Sequence, residues 1–173
     1  PPFFPNSLTE ENVQYLVHLS AFDEGPLLAR EFLQKRGIPL VILKHLPHTY
    51  LDGACFKSPS GRPVIGMTLR HDRMDNFWFT LIHELAHLFL HLDQNNFVFF
   101  DETERSQGKK EFHDPKEKEA NDFAAELLMP EDSFRKACLG RRFNPELLVE
   151  LSNSFNTSLT STVYRFIDLG NHP

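Results

Sequence analysis

The stretch from Phe77 to Leu92 restricts the fold of this chain more than any other segment. Placed on a helix, it shows apolar side chains around nearly the whole circumference, which is typical of a helix enclosed by other elements. Three histidines and one glutamate interrupt this apolar surface. Burying such groups costs roughly 2 kcal/mol or more each unless a partner satisfies them. The sequence therefore predicts a central helix that carries a polar site inside the domain.

Residues 83–87 have the pattern HExxH, with two histidines four positions apart. On a helix of about 3.6 residues per turn, His83 and His87 share one face, and both imidazoles can reach one metal ion. Glu84 lies beside them, where it can act as the general base toward a water molecule. A pair of core histidines bonded to backbone carbonyls is the competing interpretation. The complete pattern on a buried helix favours a zinc-dependent peptidase.

Two histidines leave a catalytic zinc ion one protein ligand short, because the fourth position holds water. His91 stands one turn beyond His87, but its ring and that of His83 are too far apart along the helix to close on one ion. We interpret it as a helix-end residue near the negative pole of the helix. Asp93 has the offset of zinc enzymes that bend the chain at a glycine, but Leu90 occupies that glycine position. The third ligand is expected from another segment.

A second, acidic helix is predicted from Asp114 to Met129. Asp114 is a typical N-cap residue, and the proline that follows it suits the first helical position. Glu117 and Glu119 are both candidates for the third ligand. A capping interaction with the Asp114 amide is the alternative role for Glu117. Asn121 lies one turn after Glu117 on the same face, where it can hydrogen-bond a ligand histidine, and this favours Glu117 over Glu119.

Peptide hydrolysis also needs a hydrogen-bond donor for the oxyanion. Three residues outside the two motifs are candidates for that role: His113, Tyr50 and His71. The sequence does not choose among them.

The two motifs, HELAH and EKEANDFAAELLMP, together resemble the ImmA/IrrE family of zinc metallopeptidases over roughly residues 27–130. The resemblance implies one zinc ion per chain. It implies that His83, His87 and Glu117 are the ligands and that Glu84 is the catalytic base. The implied fold is an α+β, gluzincin-like domain in which a buried HExxH helix and a second ligand helix pack on a small sheet.

The resemblance also implies a substrate class. The segments LDGA and RHDRMDNFW are more similar to the subgroup fused behind helix-turn-helix repressors, which is related to HigA-type antitoxins. A site-specific endopeptidase is expected, with a transcriptional repressor or a toxin as its protein partner. The alternative is a regulatory or antitoxin domain that binds a toxin or senses a signal with little or no proteolysis. The chain is expected to be a C-terminal fragment, with a DNA-binding domain fused upstream.

Three regions are predicted along the 173 residues. They are an N-terminal helical segment or linker at 1–26, the metallopeptidase core at 27–130 and a helical C-terminal part packed on the core at 131–173. Within the core, residues 94–113 are polar and are interpreted as a flap or loop that an apolar run, FVFF, interrupts.

A small antiparallel three-stranded sheet is predicted before the zinc helix. Its strands are expected at Ile38–Leu43, Gly53–Lys57 and Pro63–Leu69, and the sequence SPSG indicates a turn between the last two. Zinc peptidases of this kind usually hold an extended substrate along a sheet edge. By that analogy, Val64–Thr68 is the candidate edge.

Charge and composition restrict the partners. The net charge is -6, which disfavours direct nucleic-acid binding by this domain. Near the end, two amphipathic segments have the outline of a helix-turn-helix, but Arg165 is the only cation in the second, and packing against the catalytic helices is expected instead. No apolar run has the length of a membrane span. Cys55 and Cys138 are expected to be free thiols of a cytoplasmic protein, although Cys55 is also considered as a zinc cap in a latent state.

Overall fold

A computed structural model describes residues 8–44, 51–68, 73–91, 98–102 and 114–170. The elements are α1 (Glu10–Leu19), α2 (Gly25–Lys35), β1 (Leu40–Leu43), β2 (Leu51–Lys57), β3 (Pro63–Thr68), α3 (Met74–Ala86), a π-helical turn (His87–His91), β4 (Val98–Glu102), α4 (Pro115–Leu128), α5 (Glu131–Cys138), α6 (Pro145–Ser154) and α7 (Leu159–Asp168). Four residues that the sequence suggested for the site, Tyr50, His71, Asp93 and His113, lie outside the described residues. Among the helices that are described, none has the length and apolarity needed to cross a membrane.

The strands form one mixed sheet in the order β1-β3-β2-β4. β2 and β3 form the expected antiparallel hairpin, and its turn is closed by a 2.8 Å hydrogen bond from the Ser58 amide to the Arg62 carbonyl. β1 pairs with β3 in parallel, with Leu40 opposite Ile65. The prediction of an all-antiparallel sheet was therefore wrong. The parallel pair arises because the chain forms β2 at a distance from β1 and then places β3 between the two strands.

β4 is a fourth strand that the sequence did not predict. It pairs antiparallel with β2, and Phe100 lies opposite Ala54. The strand is built from most of the apolar run that was expected to interrupt a loop. A strand of five residues has no stability alone and forms because β2 supplies its hydrogen-bonding partners.

The substrate edge predicted at Val64–Thr68 is also wrong. This segment belongs to β3, which has β1 on one side and β2 on the other, so its backbone groups are already paired. Among the described strands, β1 and β4 are the edges of the sheet. An extended peptide that adds to this sheet would have to add at one of these two strands.

Helices cover one face of the sheet. Leu40, Cys55, Ile65 and Met67 point from the strands into an apolar core to which α1, α2, α3 and α4 all contribute. α3 lies against β2 and β3, and α4 packs on α3. Every residue of α3 from Thr80 to Ala86 is buried, as the sequence predicted for this helix. Any polar group on its inner turns is therefore held within the domain.

A second apolar cluster joins the end of α4 to α5, α6 and α7. Its buried members are Met129, Phe134, Leu147, Leu148, Leu151 and Phe166. Arg165, the cation of the helix-turn-helix outline, is buried here. Its Nε donates a hydrogen bond of 3.0 Å to the Met129 carbonyl, and its guanidinium pairs with Glu126. The guanidinium thus ties α7 to the C-terminal end of α4 instead of facing outward.

We expect Arg165→Ala to lower the free energy of unfolding by about 1–3 kcal/mol, because a buried carbonyl would lose its donor. Arg135→Ala is the matched control, since Arg135 pairs with Glu131 at 2.7 Å on the surface, with both side chains about half exposed. That variant should change stability by about 0.5 kcal/mol or less. Urea unfolding of the two variants measures the difference. Equal effects would show that the Arg165 contacts contribute little.

Candidate metal centre

α3 presents its two motif histidines side by side. His83 and His87 are both buried, and their Nε2 atoms lie 3.0 Å apart. The spacing of four residues brings the rings together on one side of the helix, as the sequence predicted. At His87 the α-helix widens into the π-helical turn, a local distortion that is frequent at functional sites.

α4 brings a carboxylate to the same point. Glu117 places Oε2 at 3.2 Å from His83 Nε2 and Oε1 at 3.2 Å from His87 Nε2. One donor atom from each of the three residues lies within 4.8 Å of the others, so the group could hold a metal ion. Asp114 caps α4 as expected, and its side chain accepts a hydrogen bond of 2.9 Å from the Lys116 amide. Glu117 is thereby left free of the capping role and faces the imidazoles.

The electrostatics of Glu117 suit a metal ligand. Burial by itself would raise the pKa of this carboxyl, but hydrogen bonds and charge interactions with His83 and His87 outweigh it and lower the pKa to about 2. The side chain is therefore a carboxylate at neutral pH. Two imidazole nitrogens and one anionic oxygen form a donor set that fits zinc and related divalent ions.

Asn121 forms a hydrogen bond with His83. Its Oδ1 lies 3.0 Å from His83 Nδ1, as expected from its position one turn after Glu117. The amide oxygen can only accept, so Nδ1 of the ring donates to it. A metal ion held by this group would take the lone pair of Nε2, the ring nitrogen that faces Glu117.

Glu84 is fully buried and faces β2. A Cβ atom at Gly53 would come within 2.3 Å of Glu84 Oε1 and 2.8 Å of Thr80 Cγ2. Glycine at this position allows the strand backbone to approach the carboxylate closely. This contact joins residues that are far apart in sequence, and the sequence offered no signal for it.

Cys55 lies elsewhere in the core. It is fully buried, and burial together with the charge of Glu84 raises the pKa of its thiol well above the usual range. The thiol therefore stays protonated at neutral pH. Cys55 does not belong to the group of donors formed by His83, His87 and Glu117. Its buried position in β2 fits the expected free thiol better than a zinc cap.

The sequence matches the Peptidase M78 family, described as the IrrE N-terminal-like domain, over residues 33–166. The chain belongs to this family. The matched region contains the HExxH motif and Glu117, and it confirms the resemblance to the ImmA/IrrE metallopeptidases. No curated protein matches the chain.

A solved structure has a similar fold over most of the chain. It is a Mycobacterium tuberculosis transcriptional regulator, which aligns with a TM-score of 0.51 and 18% sequence identity. The alignment covers 95% of this chain and 47% of the regulator. This chain thus spans about half the length of that relative, and the likeness concerns the fold.

Two residues of this M78 chain have a place that the sequence did not predict. His91 was expected at the helix end, yet it is buried, and its ring contacts both His87 and Glu119. Glu119, the competitor of Glu117 for the metal, reaches His91 instead. The repeat of histidine at four-residue spacing was the available signal. It could not show that the third ring would turn toward α4.

If Glu84 acts as a general base in peptide cleavage, Gly53→Ala should impair that reaction about 10–100-fold, because the new methyl group would displace the Glu84 carboxylate. Overpacking should also cost about 1–3 kcal/mol of stability, while metal content should stay unchanged. Gly66→Ala is the matched control on the neighbouring strand, where an added Cβ would meet nothing closer than 3.9 Å. Kinetics, metal analysis and thermal unfolding of both variants test this. Full activity in Gly53→Ala would contradict the close approach.

Proposed function

We propose that this chain is a zinc-dependent, site-specific endopeptidase that holds one Zn²⁺. The observation that carries the proposal is the grouping of donor atoms from His83, His87 and Glu117 within 4.8 Å, with the buried Glu84 directly after His83 in the sequence. Three protein donors of this kind are typical of catalytic zinc sites, which keep a fourth position for water or substrate. Zinc bound there would supply Lewis acidity toward the water and the substrate carbonyl.

Glu84 performs the proton transfers in this proposal. Its carboxylate accepts a proton from the attacking water as the water oxygen forms a bond with the carbonyl carbon of the scissile peptide. The protonated side chain then donates that proton to the departing amine as the C–N bond breaks. Glu84 ends the cycle ionised, and the two products carry the elements of one water molecule.

The proposed substrate is a regulatory protein, such as a transcriptional repressor, inside the cytoplasm. Membership of a peptidase family supports proteolysis, and the fold that this chain shares with a transcriptional regulator fits a regulatory setting. The two cysteines, Cys55 and Cys138, are free thiols, which fits a reducing compartment.

A second candidate function is a regulatory or antitoxin domain that binds a toxin or senses a signal with little proteolysis. The observation in its favour is that the related solved chain is named a transcriptional regulator and that this chain covers 47% of it. In that case the metal group would stabilise a binding module, and a DNA-binding domain would be fused upstream in the full-length protein.

The two functions are separated by incubating the zinc-loaded chain with the repressor or toxin encoded beside its gene. An endopeptidase should produce one pair of fragments, identified by mass spectrometry, and a chelator should stop the cut until zinc is restored. A stable complex in which the partner remains intact would favour the binding module. Failure of the purified chain to bind zinc would overturn the metallopeptidase proposal.

A further inference from the structure

A chain of hydrogen bonds leads outward from one of the two motif histidines. His87 Nδ1 lies 3.0 Å from His91 Nδ1, and His91 Nε2 lies 2.9 Å from Glu119 Oε2. Both histidines are buried, whereas the Glu119 side chain is 63% exposed. This chain of hydrogen bonds therefore runs from the proposed metal position, through the interior, to a carboxylate at the surface of α4.

The protons in this chain of hydrogen bonds can be assigned in one consistent way. A metal ion at His87 Nε2 needs the lone pair of that atom, so the ring proton must be on Nδ1. His87 then donates to His91 Nδ1, which accepts through its lone pair. The proton of His91 is consequently on Nε2, from which it is donated to the Glu119 carboxylate. Each contact has one donor and one acceptor.

From this geometry we propose that His91 and Glu119 are positioning residues, which fix the tautomer and ring orientation of His87 for zinc. The inference rests on the proposed zinc site. A ligand histidine whose other nitrogen donates to a polar partner is a better metal ligand, because its proton is held away from the metal and its basicity increases. Loss of that partner would let His87 place its proton on Nε2, where it would block the metal.

The two motif histidines are supported differently. His83 donates to the neutral amide oxygen of Asn121 at 3.0 Å. His87 donates to an imidazole that is itself polarised by a carboxylate. The charge-assisted bond from His91 to the Glu119 carboxylate makes His91 Nδ1 a stronger acceptor for the His87 proton, because successive hydrogen bonds polarise one another. His87 should therefore be the more firmly oriented ligand, although the exposure of Glu119 to solvent limits the contribution of its charge.

The fold supplies the geometry from two elements. The π-helical turn, His87–His91, carries the two histidines of the hydrogen-bond chain. α4 carries Glu117 and Glu119, which reach His87 and His91 respectively. The same pair of packed helices thus provides both the inner donors and their outer support, so that a shift of α4 would disturb both together.

The test compares the zinc affinity of the wild-type chain with that of four variants, measured by competition with a coloured chelator. His91→Phe keeps the volume of the ring but removes both polar contacts, and it should weaken zinc binding about 10–100-fold. His91→Gln can still accept from His87 and donate to Glu119, so it should restore affinity to within about 3-fold of the wild type. Thermal unfolding of the metal-free proteins reports any general loss of packing.

Glu119→Ala provides an independent arm, because an exposed side chain can be removed without harm to folding. We expect zinc binding to weaken by about 3–10-fold. The matched control is Asp122→Ala, which removes an equal charge from the same helix, where Asp122 pairs with Lys118 at 2.6 Å. Asp122→Ala should leave zinc affinity unchanged. If His91→Phe does not fold, this pair decides the question.

The outcomes distinguish this inference from the zinc site on which it rests. Wild-type affinity in His91→Phe, or equal losses in His91→Phe and His91→Gln, would overturn the positioning role while zinc binding by the wild type still stands. Equal effects of Glu119→Ala and Asp122→Ala would show that Glu119 acts only through its negative charge. That result would also overturn the positioning role. A wild-type protein that binds no zinc would overturn both proposals.

Discussion

Replacement of Glu84 by glutamine is expected to lower kcat/KM for the proposed peptide cleavage by about 1,000-fold or more, because glutamine cannot accept or return a proton. Glutamine has nearly the same shape, so the close packing of position 84 against Gly53 and Thr80 should persist. Glu84 is not among the three grouped donors, so zinc content should remain one ion per chain. Cleavage kinetics and elemental analysis measure the two effects.

The folding of Glu84→Gln supplies the control for this result. The wild-type side chain is fully buried, and an ionised buried carboxylate is costly to desolvate. The neutral amide should therefore leave thermal stability equal to or above that of the wild type. A drop in both stability and zinc content would assign the lost activity to structural damage. Cleavage at the wild-type rate would remove Glu84 from the mechanism.

His87→Ala is expected to abolish stoichiometric zinc binding and the stability that zinc provides. His87 contributes one of the three donors, and Glu117 Oε1 would lose its partner at 3.2 Å. A ligand present at roughly 1,000 times its Kd stabilises a protein by about 4 kcal/mol. The wild type should show a gain of that order when zinc is added, and His87→Ala should show almost none. Thermal unfolding with and without zinc makes the comparison.

His18→Ala is the matched control for this histidine loss. His18 lies at the exposed end of α1 and contacts the edge of the Phe22 ring. Its removal should leave the zinc-dependent gain in stability unchanged. A chelator added to the wild type should reproduce the metal-free behaviour of His87→Ala. Full zinc stabilisation in His87→Ala would contradict the ligand set proposed for His83, His87 and Glu117.

The two substitutions together also address a structural zinc site. A structural site would explain loss of stability in His87→Ala, but it gives Glu84 no role. A zinc-bound Glu84→Gln protein that folds and does not cut would therefore favour the endopeptidase. A Glu84→Gln protein that keeps all regulatory function would favour the binding module.

Residue spacing along single helices was enough to predict that the two motif histidines share a face and where α4 begins. His83 and His87 share a helix face because their spacing is close to one helical turn. α4 begins where a capping residue and a proline mark its start, at Asp114 and Pro115. The preference for Glu117 over Glu119 depended on its one-turn distance from Asn121. The structure brings Glu117 to both histidines and Asn121 to His83.

The order of the strands could not be read from local patterns. Alternation of apolar residues identifies a strand, but it does not predict with which other strand it will pair. β3 lies between β1 and β2, and a short apolar run in the connection after α3 becomes β4. Both outcomes depend on backbone hydrogen bonds between segments distant in sequence. The predicted substrate edge was wrong for that reason.

The sequence alone therefore determined the helix with its two histidines and the start of α4, and it favoured Glu117 over Glu119. Each of these inferences depends on spacings of a few residues along one element. Tertiary structure decided the approach of Gly53 to Glu84, the contact of His91 with Glu119 and the burial of Arg165 against Met129. Each of these joins side chains or backbone from separate elements. Their geometry is set by how the elements pack, and no periodicity within a single segment encodes it.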